Sequence, residues 1–171
     1  MLKNKKLWIT LVIVILILLG FGSYRYYIYV TQDMRADETA AILKAKQETS
    51  LVKVTDTQKS VWDTICWTIE GLDKENRPVM VWVIMDQNGK IKSGDGAVHE
   101  EMLANGISEG KIKEKIKKEV PDLDKLRLQP GMYNGEYAWQ LYYRSNDHYY
   151  YQFYRFSDGQ SIGGPFTLPN R

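Results

Sequence analysis

The sequence predicts an α+β protein in which an apolar N-terminal helix precedes two small units, each a helix packed on a sheet of three or four antiparallel strands. Residues 7–24 (LWITLVIVILILLGFGSY) carry no charge. Helix-forming segments at 33–49 and 107–120 each precede short runs with the alternation typical of strands. Trp67 and Trp139 lie 72 positions apart in similar surroundings. We interpret this spacing as an internal duplication, the alternative being two unrelated units.

The first element is an apolar segment preceded by lysines. Its 18 residues would span roughly 27 Å as a helix, close to the thickness of a bilayer's hydrocarbon core. Lys3, Lys5 and Lys6 on its amino side favour a cytosolic N-terminus. We therefore predict a cytosolic tail at 1–6 and a single transmembrane anchor at 7–29. The bulk of the chain is then extracytoplasmic, and the protein belongs to the cell membrane.

Aromatic side chains border this apolar segment at both ends. Trp8 lies near its start, and Tyr24, Tyr26 and Tyr27 lie at its end. Such amphipathic rings suit the headgroup layer, so we assign them, with the three lysines, as anchor residues that contact lipid. A cleaved signal peptide is the alternative, because small residues occur at 20–23. No A-x-A cleavage site follows, which favours a retained anchor.

The first exterior unit is predicted over residues 30–97. Its helix, at 33–49, lacks Gly and Pro and is rich in strong helix formers. It could also continue the membrane helix outward as a stalk. Strand patterns follow, and the run that begins at Pro78 (PVMVWVIM) is apolar at every position. Such a run is typical of a central strand that is covered on both faces.

The second exterior unit is predicted over residues 98–171. Ser108 is the expected N-cap of helix 107–120, and Pro121 is expected to end it. Two aromatic segments then form a hairpin. If one face of this hairpin is buried, a three-residue loop pairs apolar residues with each other and is the favoured register.

In that register Tyr142, Tyr150 and Tyr154 share one face of the second sheet. Helix 107–120 is expected to cover the opposite face, which carries Trp139. The tyrosine face is then either packed against the first unit or open to a partner. Tyrosine offers a large contact area and a hydrogen bond, so these three residues are our candidates for binding a protein partner.

Charge and motifs exclude several function classes. Without its three N-terminal lysines the chain has 20 basic and 21 acidic side chains, a balance unlike that of nucleic-acid-binding proteins. His99 lies in HEEML, which lacks the second histidine of a zinc-peptidase motif. His148 falls at a turn, and Cys66 lies in a strand pattern typical of a buried thiol. We predict a non-enzymatic protein with no catalytic residue, metal, cofactor or small-molecule substrate.

Four segments carry a family resemblance: TAAILKAKQETSLVKV, VMVWVIMDQNGKI, GISEGKIKEKIK and FSDGQSI. With the N-terminal anchor, they resemble the TseB-like cell-wall elongation regulators of Gram-positive bacteria, formerly a domain of unknown function. The resemblance implies tandem PepSY-like units with a cystatin-like fold. It further implies a membrane-anchored regulator that contacts a cell-wall synthesis enzyme, a penicillin-binding transpeptidase. The PepSY similarity leaves an alternative, an inhibitor or chaperone-like partner of an exported peptidase.

Overall fold

The structure, a computed structural model, describes residues 2–120 and 123–169, with side chains from residue 7 onward. The chain divides into two compact units, residues 1–37 and residues 38–171. Helix α1 (Leu2–Glu48) supplies all of the described part of the first unit and the opening residues of the second. The anchor segment and the helix predicted at 33–49 are thus parts of one continuous helix.

The first unit is an apolar helix with exposed side chains. Among the described residues, one helix is long and apolar enough to cross a membrane, and its candidate span begins at Leu7. The side chains of this segment are exposed throughout the apolar run. A soluble protein would bury such a surface, so its exposure fits a helix that lipid surrounds.

The second unit contains two four-stranded antiparallel sheets, each in sequential strand order. The first sheet consists of β1 (Lys53–Val61), β2 (Ile65–Leu72), β3 (Pro78–Ile84) and β4 (Val98–Met102). A short 3₁₀ helix (Leu103–Asn105) and helix α2 (Glu109–Glu119) lead to the second sheet. That sheet consists of β5 (Lys125–Tyr133), β6 (Glu136–Ser145), β7 (His148–Arg155) and β8 (Phe166–Leu168).

The repeated order of one helix and four strands agrees with the predicted α+β class. Trp67 and Trp139 both lie in the second strand of their sheets, β2 and β6. Each tryptophan packs in a core with the helix of its own half, Trp67 with α1 and Trp139 with α2. The equivalent positions of the two tryptophans support the interpretation of a duplicated plan.

The first sheet extends further along the chain than the sequence indicates. We predicted that the first exterior unit ends at residue 97. Strand β4 lies beyond that residue and pairs with β3 from Val83↔Val98 to Val79↔Met102. Residues 79–83 of β3 are completely buried. Its outer edge therefore needs a neighbouring strand to satisfy its backbone hydrogen bonds, and residues 98–102 provide it.

The end of α1 packs on one face of the first sheet through small side chains. Ala41 and Ala45 are fully buried and share a core with Trp67, Ile69 and Val81. Alanine at this spacing lets the helix backbone approach the sheet closely, because the two positions lie one above the other on the helix.

Helix α2 covers the second sheet as predicted. The Ser108 side chain accepts a hydrogen bond from the Lys111 backbone N–H, as an N-cap residue does. Ile112 and Ile116 are completely buried, and the indole Nε1 of Trp139 donates to the carbonyl oxygen of Ile107 at 3.0 Å. The predicted stop at Pro121 lies outside the described residues.

A shared core joins the two sheets. The face of the first sheet that α1 does not cover carries Cys66, Met80 and Trp82, and these pack with α2 and the second sheet. Buried hydrogen bonds cross the same boundary, including one from Gln140 Nε2 to Ser60 Oγ at 2.7 Å. Both faces of the first sheet are therefore buried, which explains the uniformly apolar β3.

The predicted register of the second hairpin is wrong by one residue. Strands β6 and β7 pair Leu141 with Gln152 and Tyr143 with Tyr150 across a two-residue turn. The turn residues Asn146 and Asp147 both have positive φ, at 48° and 62°, as in a type I′ turn. We expected one buried face, but both faces contribute buried residues, so matching apolar partners could not identify the register.

Candidate binding surface

The anchor residues occupy the first unit. Trp8, Tyr24, Tyr26 and Tyr27 all have exposed side chains. The side chains of Lys3, Lys5 and Lys6 lie outside the described residues. Exposed aromatic rings at both ends of an apolar helix suit the two headgroup layers of a membrane.

The structure does not bring the three candidate tyrosines together. Tyr154 is buried opposite Trp139, and its hydroxyl donates to Glu119 Oε2 at 3.1 Å. Tyr150 stacks on its neighbour Tyr143 on this same side of the sheet. Tyr142 lies on the opposite face. A one-residue change of register moves every side chain of β7 to the other face, which separates Tyr142 from the other two.

The surroundings of Tyr154, which faces α2, keep its hydroxyl protonated. Burial, followed by the negative charge of Glu119, raises the pKa of Tyr154 far above its ordinary value. Its phenol therefore remains protonated and donates the hydrogen bond to Glu119 at physiological pH. Tyr154 acts as a core residue that joins β7 to α2, and it offers no surface to a partner.

The face of the second sheet away from α2 carries a groove of about 700 Å³. Its floor includes a row of directly paired residues across three strands, Arg127 in β5, Tyr142 in β6 and Tyr151 in β7. We refer to this feature as the basic groove. Its lining residues are Lys59, Val61, Trp62, Lys125, Leu126, Arg127, Gln129, Gln140, Tyr142, Tyr151 and Leu168.

One wall of the basic groove comes from the other half of the unit. Trp62 follows β1 and packs on Tyr151 and Phe153, with ring centroids 4.7 and 5.2 Å apart. It remains 39% exposed. The loop between β1 and β2 therefore reaches the second sheet, and the groove exists only because the two halves pack together.

The polar groups of the groove are cationic or neutral. Lys59, Lys125 and Arg127 are among its lining residues, which include no Asp or Glu. The ammonium of Lys59 lies 5.5 Å from the centroid of the Trp67 ring, so Lys125 and Arg127 are the cations that face the groove. Gln129 Nε2 donates to Gln140 Oε1 at 3.1 Å, which orients one amide relative to the other. Burial, followed by the neighbouring Tyr149 and Tyr151, raises the pKa of Tyr142, so its hydroxyl remains a neutral hydrogen-bonding group.

Of the residues that line the groove, only Tyr142 was predicted from the sequence as a binding residue. A signal for Arg127 was present, since it lies between Leu126 and Leu128 in a strand pattern and must therefore point away from their face. Trp62 gave no comparable signal, because its neighbours in the sequence, Val61 and Asp63, define no face.

The potentially reactive side chains are engaged elsewhere. Cys66 is fully buried, and burial raises the pKa of its thiol to about 12. His99 lies 3.0 Å from a carboxylate oxygen of Glu101 and stacks on Tyr137. His148 Nδ1 donates to the Asn146 carbonyl oxygen at 2.8 Å. Within the part of the chain that the structure describes, no three His, Cys, Asp or Glu residues could jointly hold a metal ion.

One segment of the chain is similar to a known protein family. Residues 40–83 match the sequence profile of the cell wall elongation regulator TseB-like domain. This segment runs from the buried end of α1 through β3 and supplies most of the core of the first sheet. No curated protein sequence matches the chain.

The fold is also found in a solved structure, the YpmB protein from Bacillus subtilis. The two superpose with a TM-score of 0.63 at 24% sequence identity. The alignment covers 76% of this chain and 96% of the YpmB chain. The chain therefore contains a segment similar to the cell wall elongation regulator TseB-like domain, within a fold that it shares with YpmB.

Proposed function

We propose that the protein is a membrane-anchored, extracytoplasmic binding module that regulates cell-wall elongation by contact with a penicillin-binding transpeptidase. The match of residues 40–83 to the TseB-like domain carries this proposal. The matched residues build the α1–β3 core, so the family signature coincides with the part of the molecule that determines its fold. The identity of the partner as a transpeptidase rests on the family resemblance.

Membrane attachment is supported by the first unit. An apolar helix with exposed side chains needs an apolar environment, which a bilayer provides. The lysines that precede it favour a cytosolic N-terminus, which would place both sheets outside the cell. A regulator held in this way meets enzymes that work at the outer surface of the membrane.

Regulation by contact is supported by the state of the reactive groups. The thiol of Cys66 is buried and protonated, and the two histidines have partners of their own. A protein of this kind acts through its surface. The basic groove and the exposed strand edges are the surfaces it offers to a partner.

Capture of the partner tests the proposal. The full chain with a C-terminal tag would be crosslinked in intact Gram-positive cells, solubilised and purified, and the eluate treated with a fluorescent penicillin. This probe acylates the active serine of penicillin-binding proteins. We expect one labelled transpeptidase to copurify, and to remain when residues 1–29 are replaced by an unrelated single-span anchor. Recovery of an exported peptidase in its place would support the alternative function and overturn this one.

Orientation is tested separately with single cysteines. In a Cys66→Ser background, Asn88→Cys lies on an exposed loop, and Asn4→Cys lies in the predicted cytosolic tail. We expect a membrane-impermeant maleimide to label the chain with Asn88→Cys in intact cells. The chain with Asn4→Cys should react only after the cells are permeabilised. The reverse pattern would place both sheets in the cytosol and exclude contact with a cell-wall enzyme.

A further inference from the structure

We propose that the basic groove binds an anionic saccharide chain, in which sugar rings carry carboxylate or phosphate groups. This ligand is distinct from the protein partner proposed above. The groove is large enough, because its volume of about 700 Å³ falls within the usual range of ligand sites, roughly 300–1,000 Å³.

Three aromatic side chains form a row of contacting, tilted rings along the groove, which we call the platform. Tyr151 lies between Trp62 and Tyr142, with ring centroids 4.7 and 5.1 Å away and ring planes inclined by 46° and 51°. All three rings line the groove. A sugar ring has an apolar face of C–H groups, which an aromatic ring can cover while the sugar's hydroxyls point to its edges. The platform therefore suits a saccharide chain, whose sugar rings have apolar faces and carry their polar hydroxyls at the edges.

The cations are arranged along one side of this platform. Lys125 and Arg127 are two residues apart in β5, so both point to the groove face, roughly 7 Å apart along the strand. Within residues 7–120 and 123–169, neither of them takes part in an ion pair. A guanidinium group donates two parallel hydrogen bonds to a carboxylate or phosphate, so Arg127 is suited to the anionic group of the ligand.

One amide adds recognition of neutral polar groups. Gln129 lies beside the platform on β5 and is held by its hydrogen bond to the buried Gln140, whose own amide is engaged with Ser60 and Met132. An amide both donates and accepts hydrogen bonds, as a sugar hydroxyl does. The rings, the Gln129 amide and the cations together match a ligand that combines apolar faces, hydroxyls and negative charges.

The position of the groove favours a saccharide over an acidic peptide. An extended peptide typically binds to a sheet edge, where it forms backbone hydrogen bonds with an unpaired strand. The groove instead lies across the face of β5, β6 and β7, whose backbones pair with one another from Arg127 through Tyr142 to Tyr151. Recognition on this face is by side chains, and a peptide remains an outcome of the test.

Binding would be measured by isothermal titration calorimetry on the full chain in detergent micelles. The probes are an oligogalacturonate hexamer with carboxylates, a phosphorylated mannan hexamer, neutral maltohexaose and hexaglutamate. We expect one of the two anionic saccharides to bind at least tenfold more tightly than both maltohexaose and hexaglutamate. The preferred one identifies whether the natural anionic group is a carboxylate or a phosphate. Binding should weaken as salt is added, because screening reduces charge attraction.

Variants locate the site. Arg127→Gln should weaken binding of the preferred saccharide at least tenfold, and Tyr142→Leu should also weaken it. Lys74→Gln removes the same charge from an exposed loop outside the groove and should leave binding unchanged. If Arg127→Gln does not fold, Arg127→Lys keeps the charge without the planar fork and should still weaken binding.

Three results would overturn the proposal. Hexaglutamate that binds as tightly as the anionic saccharides would show a site for acidic peptides. An equal effect of Lys74→Gln and Arg127→Gln would show attraction by overall charge. Absence of binding by either anionic saccharide to the folded wild-type chain would show that the groove does not hold this class of ligand.

Discussion

The indole Nε1 of Trp82 in β3 donates a hydrogen bond to the backbone carbonyl oxygen of Gly131 in β5, across an N···O distance of 3.1 Å. The two residues belong to different sheets and lie 49 positions apart in the chain. The indole is completely buried. This bond and the packing around it make the two sheets one folded body.

Replacing Trp82 by Phe should destabilise the protein. The change leaves the Gly131 carbonyl without its buried donor and removes part of a filled core, so we expect a loss of about 2–4 kcal/mol in the free energy of unfolding. Differential scanning calorimetry of the full chain in detergent micelles measures the effect. Trp62→Phe, at a partly exposed position, should cost far less. Equal melting temperatures for wild type and Trp82→Phe would contradict the importance of this bond.

Gly131 should not tolerate a larger side chain. A Cβ at this position would lie 2.5 Å from both Gln140 Nε2 and Ser60 Oγ, where it would disturb their buried hydrogen bond. We expect Gly131→Ala to cost about 1–3 kcal/mol. Gly110 in α2 is the matched control, because nothing lies within 4 Å of a Cβ built there. Gly110→Ala should raise stability by about 0.4–1 kcal/mol. A stabilised Gly131→Ala variant would show that the sheets can separate at this point without cost.

The turn between β2 and β3 should make the fold sensitive to acid. Burial of Asp73 opposes its ionisation, but hydrogen bonds from the backbone and guanidinium of Arg77, and from the Glu75 backbone N–H, outweigh it and lower the pKa of this carboxyl. The stabilisation is present above the unfolded pKa of 3.8 and is lost as pH falls through the lower folded value.

Asp73→Asn tests this dependence. The variant should melt several degrees below wild type at pH 7, and the difference should shrink as the pH falls below the unfolded pKa. Asp95→Asn, at an exposed position, should change neither the melting temperature at pH 7 nor its dependence on pH. A gap between Asp73→Asn and wild type that stays constant from pH 7 down to the acid limit would show that the carboxylate charge contributes nothing.

Cys66 should be unreactive in the folded protein. Burial raises the pKa of its thiol to about 12, so a thiolate is scarce at pH 8 and reagents cannot reach it. We expect the reaction with 5,5′-dithiobis(2-nitrobenzoate) to be at least about 100-fold slower in the native chain than in urea. Because the folded pKa lies above the unfolded value of 9.0, the contribution of this group to stability declines as pH rises from about 9 to 12. Rapid native labelling would indicate an accessible thiol.

Several features of the fold were predictable because local chemistry determines them. A run that is apolar at every position, such as β3, must be covered on both faces. Ser108 begins a helix because its side chain can accept a hydrogen bond from a free backbone N–H. The matching spacing of Trp67 and Trp139 indicated two similar halves. Each of these features depends on residues that are close together in the sequence or on whether a segment is buried.

The register of the second hairpin was not predictable in this way. Its turn residues Asn146 and Asp147 can adopt positive φ, which favours a two-residue loop, but that preference competed with the pairing of apolar side chains. Pairing apolar residues identifies a register only when one face of the sheet is buried. Leu141 and Phe153 are both completely buried on opposite faces of the sheet, so polarity carried no information about register.

An apolar helix long enough to span a bilayer, followed by two similar helix-and-sheet halves, could be predicted from the amino-acid pattern alone. Hydrophobic run length and periodicity act locally, so they can be read before the chain is folded. The folded chain was needed to show which sheet faces meet and that Trp62 lines a basic groove with Arg127 and Tyr151. Those contacts join residues that are distant in the chain, and their geometry depends on how both halves pack.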